Sequence, residues 1–128
     1  MSFGGGDSSS VKDAIKYAYN KGVILVASAG NSGANDKQYP CGYDEVICVG
    51  ALNSDDSPAS YSNYGDWIDL TAPGTGILST GFDDSYISLS GTSMSAPMVS
   101  GMIGLIKSLY EDNQTEILGS ESIKIVTV

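Results

Sequence analysis

The sequence predicts an α/β fold with a mainly parallel sheet and a helix that is buried nearly all round. Residues 23–29 and 46–49 are continuous apolar runs, which is typical of strands covered on both faces. Residues 11–20 repeat apolar side chains at helical spacing. Along residues 93–109, apolar and small side chains cover most of a helical circumference, and this pattern indicates a buried helix.

The elements follow one another without repeats or a linker, so residues 1–128 are predicted to form one unit. Residues 1–3 are a candidate short strand, and Asp7 or a serine of the run 8–10 is a candidate N-cap for the first helix. Lys21-Gly22 is expected to end that helix.

Polar segments rich in Gly, Asn, Asp and Pro separate the remaining strands. Residues 67–70 are the third strand candidate, stopped by Ala72-Pro73-Gly74, and residues 86–89 are the fourth. Residues 123–128 are compatible with a strand or a frayed tail. The helix over 93–109 needs covering layers, and this chain supplies them on one side only.

The charge balance limits the partners of the chain. It carries 15 acidic and 6 basic residues, a formal charge of −9, which argues against nucleic acid or an anionic membrane. No stretch approaches the roughly 18 apolar residues of a membrane span, and no secretory signal is visible at the N-terminus. Cys41 and Cys48 are too few for a disulfide framework or a zinc site, so one bridge and two buried thiols both remain open.

The sharpest motif is Gly-Thr-Ser-Met-Ser-Ala-Pro at residues 91–97. It delivers Ser93 to the first turn of the buried helix, where free N–H groups and partial positive charge favour an anion. A serine there can attack a carbonyl while its own N–H faces the oxyanion that forms. A plain N-cap is the other role open to Ser93.

A second motif, Ala-Ser-Ala-Gly-Asn-Ser-Gly at residues 27–33, ends a predicted buried strand. In open parallel sheets, binding sites lie at the carboxyl ends of the strands. Asn31 therefore places a side-chain amide at a plausible functional edge, and it also suits a turn.

Together these motifs resemble the subtilisin-like serine proteases (subtilases, peptidase family S8). The first resembles their nucleophile motif, the second their oxyanion motif, and residues 1–5 resemble their substrate-binding strand. Tyr39-Pro40 and residues 46–51 and 70–74 match in the same order. The resemblance covers about residues 1–112, leaves 113–128 as a divergent tail, and implies part of a three-layer fold whose central helix starts at the nucleophile.

The resemblance implies a serine-type endopeptidase acting through an acyl-enzyme. Ser93 is the implied nucleophile and Asn31 the implied oxyanion donor. Further residues are implied to pair with the substrate backbone or to form a small-walled pocket for the residue before the scissile bond. That substrate-binding set is Ser2, Phe3, Gly4, Ser28, Ala29, Gly30 and Thr92. Met94 is the implied position at which oxidation impairs activity.

The resemblance also implies a cis peptide at Tyr39-Pro40 and a structural Ca²⁺. The ligands implied for that ion are the backbone carbonyl oxygens of Cys41, Tyr43 and Val46 and the side-chain carboxylate of Asp69. Asp69 contributes the one carboxylate of that set, and it also suits a solvated strand end. No cofactor is required for the reaction.

The chain departs from the family in two ways. Met98 stands where the family usually has a non-catalytic histidine, and the sequence contains no histidine at all. The family's triad aspartate and histidine both precede the oxyanion asparagine, and a serine without a base is a weak nucleophile. We therefore expect a truncated or split subtilase, inactive and poorly soluble alone, whose partners are a polypeptide substrate and the missing N-terminal half of the catalytic domain.

Two rival functions remain. A non-catalytic, subtilase-derived fragment that binds peptides or joins an assembly shares all these features. A nucleotide-binding domain with phosphate over residues 4–6 lacks the full glycine spacing, because position 9 is serine, and it lacks a Walker lysine. The residues do not fix the compartment, while the resemblance implies a secreted or extracellular protein.

Overall fold

A computed structural model describes residues 1–113 and 124–125. Helix α1 spans Ser9–Tyr19 and helix α2 spans Thr92–Asn113. The strands are β1 (Val23–Ser28), β2 (Val46–Leu52), β3 (Leu70–Pro73), β4 (Ile77–Thr80), β5 (Tyr86–Leu89) and β6 (Lys124–Ile125). No helix within these residues has the length and apolar character needed to cross a bilayer.

The main sheet is parallel, with strand order β3-β2-β1-β6. Ala27 of β1 lies opposite Cys48 of β2, and Ala51 of β2 lies opposite Ala72 of β3. Strands β4 and β5 form a separate antiparallel hairpin directly before α2. The predicted α/β fold with a mainly parallel sheet is therefore confirmed.

Each face of the sheet packs against one helix. Side chains alternate across a strand, and Leu25, Ala27 and Cys48 join Ile15 of α1 in one buried cluster. Val26 and Val49 point the other way and pack with Val99 of α2. The described residues thus form three layers, with the sheet between α1 and α2.

The start of α1 is held by a tyrosine rather than by its own cap. Ser8 occupies the N-cap position, but its side chain makes no capping bond. Instead, the hydroxyl of Tyr43 accepts from Ser8 N at 3.2 Å and donates to the Asp7 carboxylate at 2.8 Å. Burial, together with the adjacent Asp7 carboxylate, raises the pKa of Tyr43. At the other end of α1, Gly22 adopts a positive φ of 75°, as the predicted stop requires.

Two strand predictions were wrong in detail, and one strand was missed. The third strand begins at Leu70 and runs into Pro73, where the sequence predicted a stop. Pro73 is tolerated because β3 lies at the edge of the sheet, where a missing N–H leaves no partner unpaired. Strand β4 was missed because most of its side chains are exposed. Residues 1–3 form no strand, although Gly5 makes an isolated bridge with Tyr39.

The loop between β1 and β2 is joined to β2 by a disulfide and contains a cis peptide. Cys41 and Cys48 form a disulfide with their Cα atoms 4.8 Å apart, which decides between the two alternatives left open by the sequence. The Tyr39–Pro40 peptide is cis, as the resemblance implies. The disulfide ties this loop to β2, near the start of that strand.

Candidate active site

The carboxyl end of β1 meets the N-terminus of α2 through direct hydrogen bonds. The N–H and the hydroxyl of Thr92 both donate to Asn31 Oδ1, each at 2.9 Å. Gly30 N in turn donates to Thr92 Oγ1 at 3.2 Å. Because Thr92 is fully buried, it fixes the two segments relative to each other.

These bonds also orient the side-chain amide of Asn31. Thr92 presents two donors, so the atom facing it must be the acceptor Oδ1, and Nδ2 is left to donate elsewhere. Asn31 is exposed, and its Nδ2 lies 3.3 Å from where a Cβ would sit at Gly91. Glycine at position 91 therefore keeps space open beside the amide.

Ser93 is the second residue of α2 and is half-buried, so it lies inside the helix rather than at its N-cap. A backbone N–H in the first helical turn has no carbonyl one turn before it to bond. The aligned peptide dipoles add partial positive charge at this end. A side-chain hydroxyl, a free backbone N–H and the Asn31 amide thus lie at one helix terminus.

A buried asparagine that sequence reasoning missed holds the Asn31 loop. Asn63 Oδ1 accepts from Ser32 N at 2.8 Å, and its Nδ2 donates to Ala29 O at 3.1 Å and to Asp36 O at 2.9 Å. Gly30 has a φ of 103°, and a Cβ there would lie 2.6 Å from Asn63 Nδ2. In the sequence, Asn63 lies in a polar stretch that is typical of a turn, and no local pattern predicts its role in holding the loop.

Residues 1–5 form an extended segment beside the helix terminus. Met1 O accepts from Ser28 N at 3.0 Å, and Gly5 and Tyr39 exchange two backbone bonds of 2.9 Å. The Ser2 hydroxyl donates to the carbonyl of Ser93 at 3.0 Å.

The other predicted substrate-binding residues differ in accessibility. Phe3 and Gly4 are exposed next to Ser2. Ser28 and Ala29 are buried in the sheet, and Gly30 is partly exposed. The structure thus brings Ser2, Gly30, Asn31, Thr92 and Ser93 together by direct bonds.

The four residues predicted to bind a cation line one cavity of about 350 Å³, and Asp44 and Asp66 line it too. The Asp69 carboxylate accepts from Cys48 N at 2.7 Å. Carboxylate and carbonyl oxygens are the donors that suit Ca²⁺. Within the described part of the chain, no three Asp, Glu, His or Cys side chains cluster closely enough to hold a metal, so a cation here would depend mainly on carbonyl oxygens.

Comparison with known proteins places this arrangement in a family. The family model for the subtilases matches residues 1–128. The chain is 44% identical over 115 residues to subtilisin DY of Bacillus licheniformis, covering 86% of this chain and 42% of that protein. It is 44% identical over 128 residues to the major intracellular serine protease of Bacillus subtilis (strain 168), covering 95% and 40%.

A solved structure agrees with these relatives. A cold-adapted subtilisin-like serine proteinase superposes with a TM-score of 0.78 at 38% identity, over 89% of this chain and 41% of that one. The chain thus spans less than half the length of each of these three proteins. The family match over the whole chain, together with the joined Asn31 and Ser93 segments, shows that the chain belongs to the subtilase family.

Proposed function

We propose that this chain carries the nucleophile and the oxyanion site of a subtilisin-like serine endopeptidase. The observation that carries the proposal is the pair of bonds from Thr92 to Asn31, which fixes a free side-chain amide beside the first turn of α2. Preorganised donors of this kind stabilise the charge that develops in acyl transfer.

In the proposed reaction, Ser93 Oγ attacks the carbonyl carbon of a peptide bond and loses its proton to a base. The carbonyl π electrons move to oxygen, which Asn31 Nδ2 and Ser93 N–H stabilise. The C–N bond then breaks as the protonated base gives its proton to the leaving amine. Water then attacks the ester carbonyl as the base takes its proton, and the bond from Ser93 Oγ to the carbonyl carbon breaks as the base returns that proton to Ser93.

The base must come from outside residues 1–128, because the sequence contains no histidine. We propose that a polypeptide segment carrying the family's aspartate and histidine completes the site and that the chain alone is inactive. The rival is a chain that binds peptides without cleaving them. It would use the same segment 1–5 as an added strand and would need no base.

A chimera tests the proposal and separates it from its rival. Residues 1–128 replace the matched region of subtilisin DY, so that the relative supplies the aspartate and histidine. A fluorophosphonate probe should label Ser93 in the chimera and leave the isolated chain unlabelled. Ser93→Ala should abolish labelling, while Ser10→Ala, an exposed serine of α1, should not.

In subtilisin, loss of the side-chain donor of the oxyanion hole lowers kcat by roughly 10²- to 10³-fold, and Asn31→Ala should cost a similar factor in the chimera. Rapid labelling of the isolated chain would contradict the external base. A folded chimera that binds peptides but resists the probe would favour the rival.

We further propose that the exposed apolar face of α2 is the docking surface for that completing segment. The face is defined by Met98, Met102, Leu105, Ile106 and Leu109. It lies on the helix that carries Ser93, and the relatives have more than twice the matched length with which to cover it. Contiguous exposed apolar surface of this kind marks an interaction site.

The docking proposal predicts opposite effects of one substitution in two settings. Met102→Glu should leave the isolated chain folded and reduce its self-association, because Met102 is exposed there. In the chimera the same charge would be buried, so Tm should fall by several degrees. Tyr64→Glu, exposed elsewhere, is the control. Equal Tm changes for Met102→Glu in both settings would refute docking at this face.

We also propose a structural Ca²⁺ in the cavity lined by Cys41, Tyr43, Val46 and Asp69. A ligand that binds only the folded state raises Tm with its concentration. Added Ca²⁺ should therefore raise Tm, and Asp69→Asn should remove most of that rise while Asp13→Asn, on α1, should not. An unchanged Ca²⁺ response in Asp69→Asn would refute this site.

The disulfide supports an oxidising compartment, and we propose an extracellular location. Disulfides persist mainly in secreted proteins, and both Cys41 and Cys48 are buried. One of the relatives is intracellular by name, so family membership alone does not decide the compartment. Thiol titration of denatured protein from its native source should detect no free thiol; two free thiols would contradict the proposal.

A further inference from the structure

The carbonyl of Ser93 lacks its ordinary helical partner. In an α-helix each carbonyl accepts from the N–H four residues later, and the residue four positions after Ser93 is Pro97. Proline has no N–H, and its ring crowds the carbonyl one turn before it. The nucleophile's own carbonyl is therefore left to find a donor outside the helix.

Ser2 supplies that donor. Its hydroxyl donates to Ser93 O at 3.0 Å across a separation of 91 residues. The N–H of the same peptide unit, Met94 N, donates to Gly91 O at 3.0 Å. The Ser93–Met94 peptide is thus held at both its polar atoms, one by the helix terminus and the other by the segment 1–5.

We propose that Ser2 is a positioning residue that couples the substrate-binding segment to the nucleophile. Its hydroxyl sets the plane of the Ser93–Met94 peptide and so the orientation of the Ser93 backbone and side chain. Because the segment is anchored at Met1 and Gly5, a substrate strand paired along it would also steady this bond. The inference rests on the proposed function, since it assigns Ser93 as the nucleophile.

The bond is exposed, so its loss should affect catalysis more than folding. Ser2→Ala leaves the Ser93 carbonyl to water, so that the bond from Met94 N to Gly91 O alone holds the peptide. Ser2→Thr keeps the hydroxyl and should restore the bond. Pro97→Ala supplies the missing helical N–H, so it should make the carbonyl independent of Ser2.

Selective isotope labelling lets the carbonyl chemical shift of Ser93 report on the bond in the 128-residue chain. Ser93–Met94 is the one Ser–Met pair in the sequence, so ¹³C-carbonyl serine with ¹⁵N-methionine gives a single HNCO peak. Ser2→Ala should move the Ser93 carbonyl shift upfield, and Ser2→Thr should restore it. Ser10→Ala should leave it in place. A shift that Ser2→Ala does not move would overturn the inference.

Kinetics in the chimera test the coupling. Ser2→Ala should lower kcat by roughly 2- to 10-fold, the range of one net hydrogen bond, with a smaller change in KM. In the Pro97→Ala background the same change should cost less than twofold. An effect confined to KM, or an equal loss in both backgrounds, would overturn the coupling.

The activity of the parent chimera separates the positioning role of Ser2 from the proposed protease function. A parent chimera without turnover would overturn the proposed function. An active parent in which Ser2→Ala matches Ser10→Ala would overturn the positioning role alone.

Discussion

The two faces of α2 differ in both side-chain size and burial. The face toward the sheet consists of small residues that are almost fully buried: Thr92, Ser95, Ala96, Val99 and Ser100. The large apolar residues named above as the docking surface lie on the adjacent side of the helix, most of them in its C-terminal half. Val99 is 3% exposed and Leu105 is 69% exposed, although they lie less than two turns apart.

The difference shows that one helix meets two separate requirements. Small residues let its N-terminal half approach the sheet closely, and that approach brings Ser93 to Asn31. Large apolar residues on the other face contribute no hydrophobic stabilisation unless another layer covers them. The described residues complete the first contact, and the outer face is the one that we propose as a docking surface.

An aspartate should destabilise the fold when it is placed on the sheet-facing side of α2, and it should leave the fold intact when it is placed on the outer side. Val99→Asp puts an unpaired charge against β1 and β2 and should destabilise the chain by about 3–5 kcal/mol. Leu105→Asp puts the same charge in solvent and should change stability by less than about 0.5 kcal/mol. Urea denaturation followed by far-UV circular dichroism measures both.

Leu105→Asp should also make the isolated chain less prone to associate, because it interrupts an exposed apolar patch. Sedimentation velocity over a range of concentrations tests this. Comparable destabilisation by the two substitutions would show that the faces are not distinct in the isolated chain.

A smaller effect is expected from filling the close contact beneath α2. A Cβ added at Gly74 would lie 2.3 Å from Ser95 Oγ and 2.7 Å from the Cβ of Ala51. Gly74→Ala should therefore cost about 1–3 kcal/mol by overpacking. Gly6→Ala is the control, since a Cβ there meets nothing within 4 Å. Equal melting curves for the two variants would mean that the helix sits further from the sheet.

Periodicity and motif were sufficient for the main layers. The runs at 23–29 and 46–49 identified β1 and β2 because strands buried on both faces need continuous apolar residues. The motif at 91–97 located the start of α2 to within one residue. Such features are local, so a sequence displays them directly.

What the sequence could not provide depends on distant contacts. Asn63 bonds Ser32 of the Asn31 loop across 31 residues, and Ser2 bonds Ser93 across 91 residues. Neither residue differs in type from an ordinary polar loop residue. The bounds of β3 were also not predicted. Pro73 is permitted in this strand by its position at the edge of the sheet, which the local composition does not reveal.

The smallest expected effect concerns one hydroxyl on the buried face of α2. Ser95 is fully buried, and among the described residues its Oγ is the one buried side-chain polar atom without a hydrogen-bond partner. It stands where the subtilase motif usually has alanine. Ser95→Ala removes the cost of burying that group and should stabilise the chain by about 1 kcal/mol.

Ser100 provides the matched control on the same face of the same helix. It is also buried, but its hydroxyl donates to Ala96 O at 3.2 Å. Ser100→Ala should leave stability unchanged or lower it slightly, because a satisfied bond is lost with its donor. Thermal melts should therefore move in opposite directions for the two variants, with Tm rising by about 2–8 °C for Ser95→Ala. A lower Tm for Ser95→Ala would mean that its hydroxyl has a partner in solution, and that this face is less completely dry than its small residues indicate.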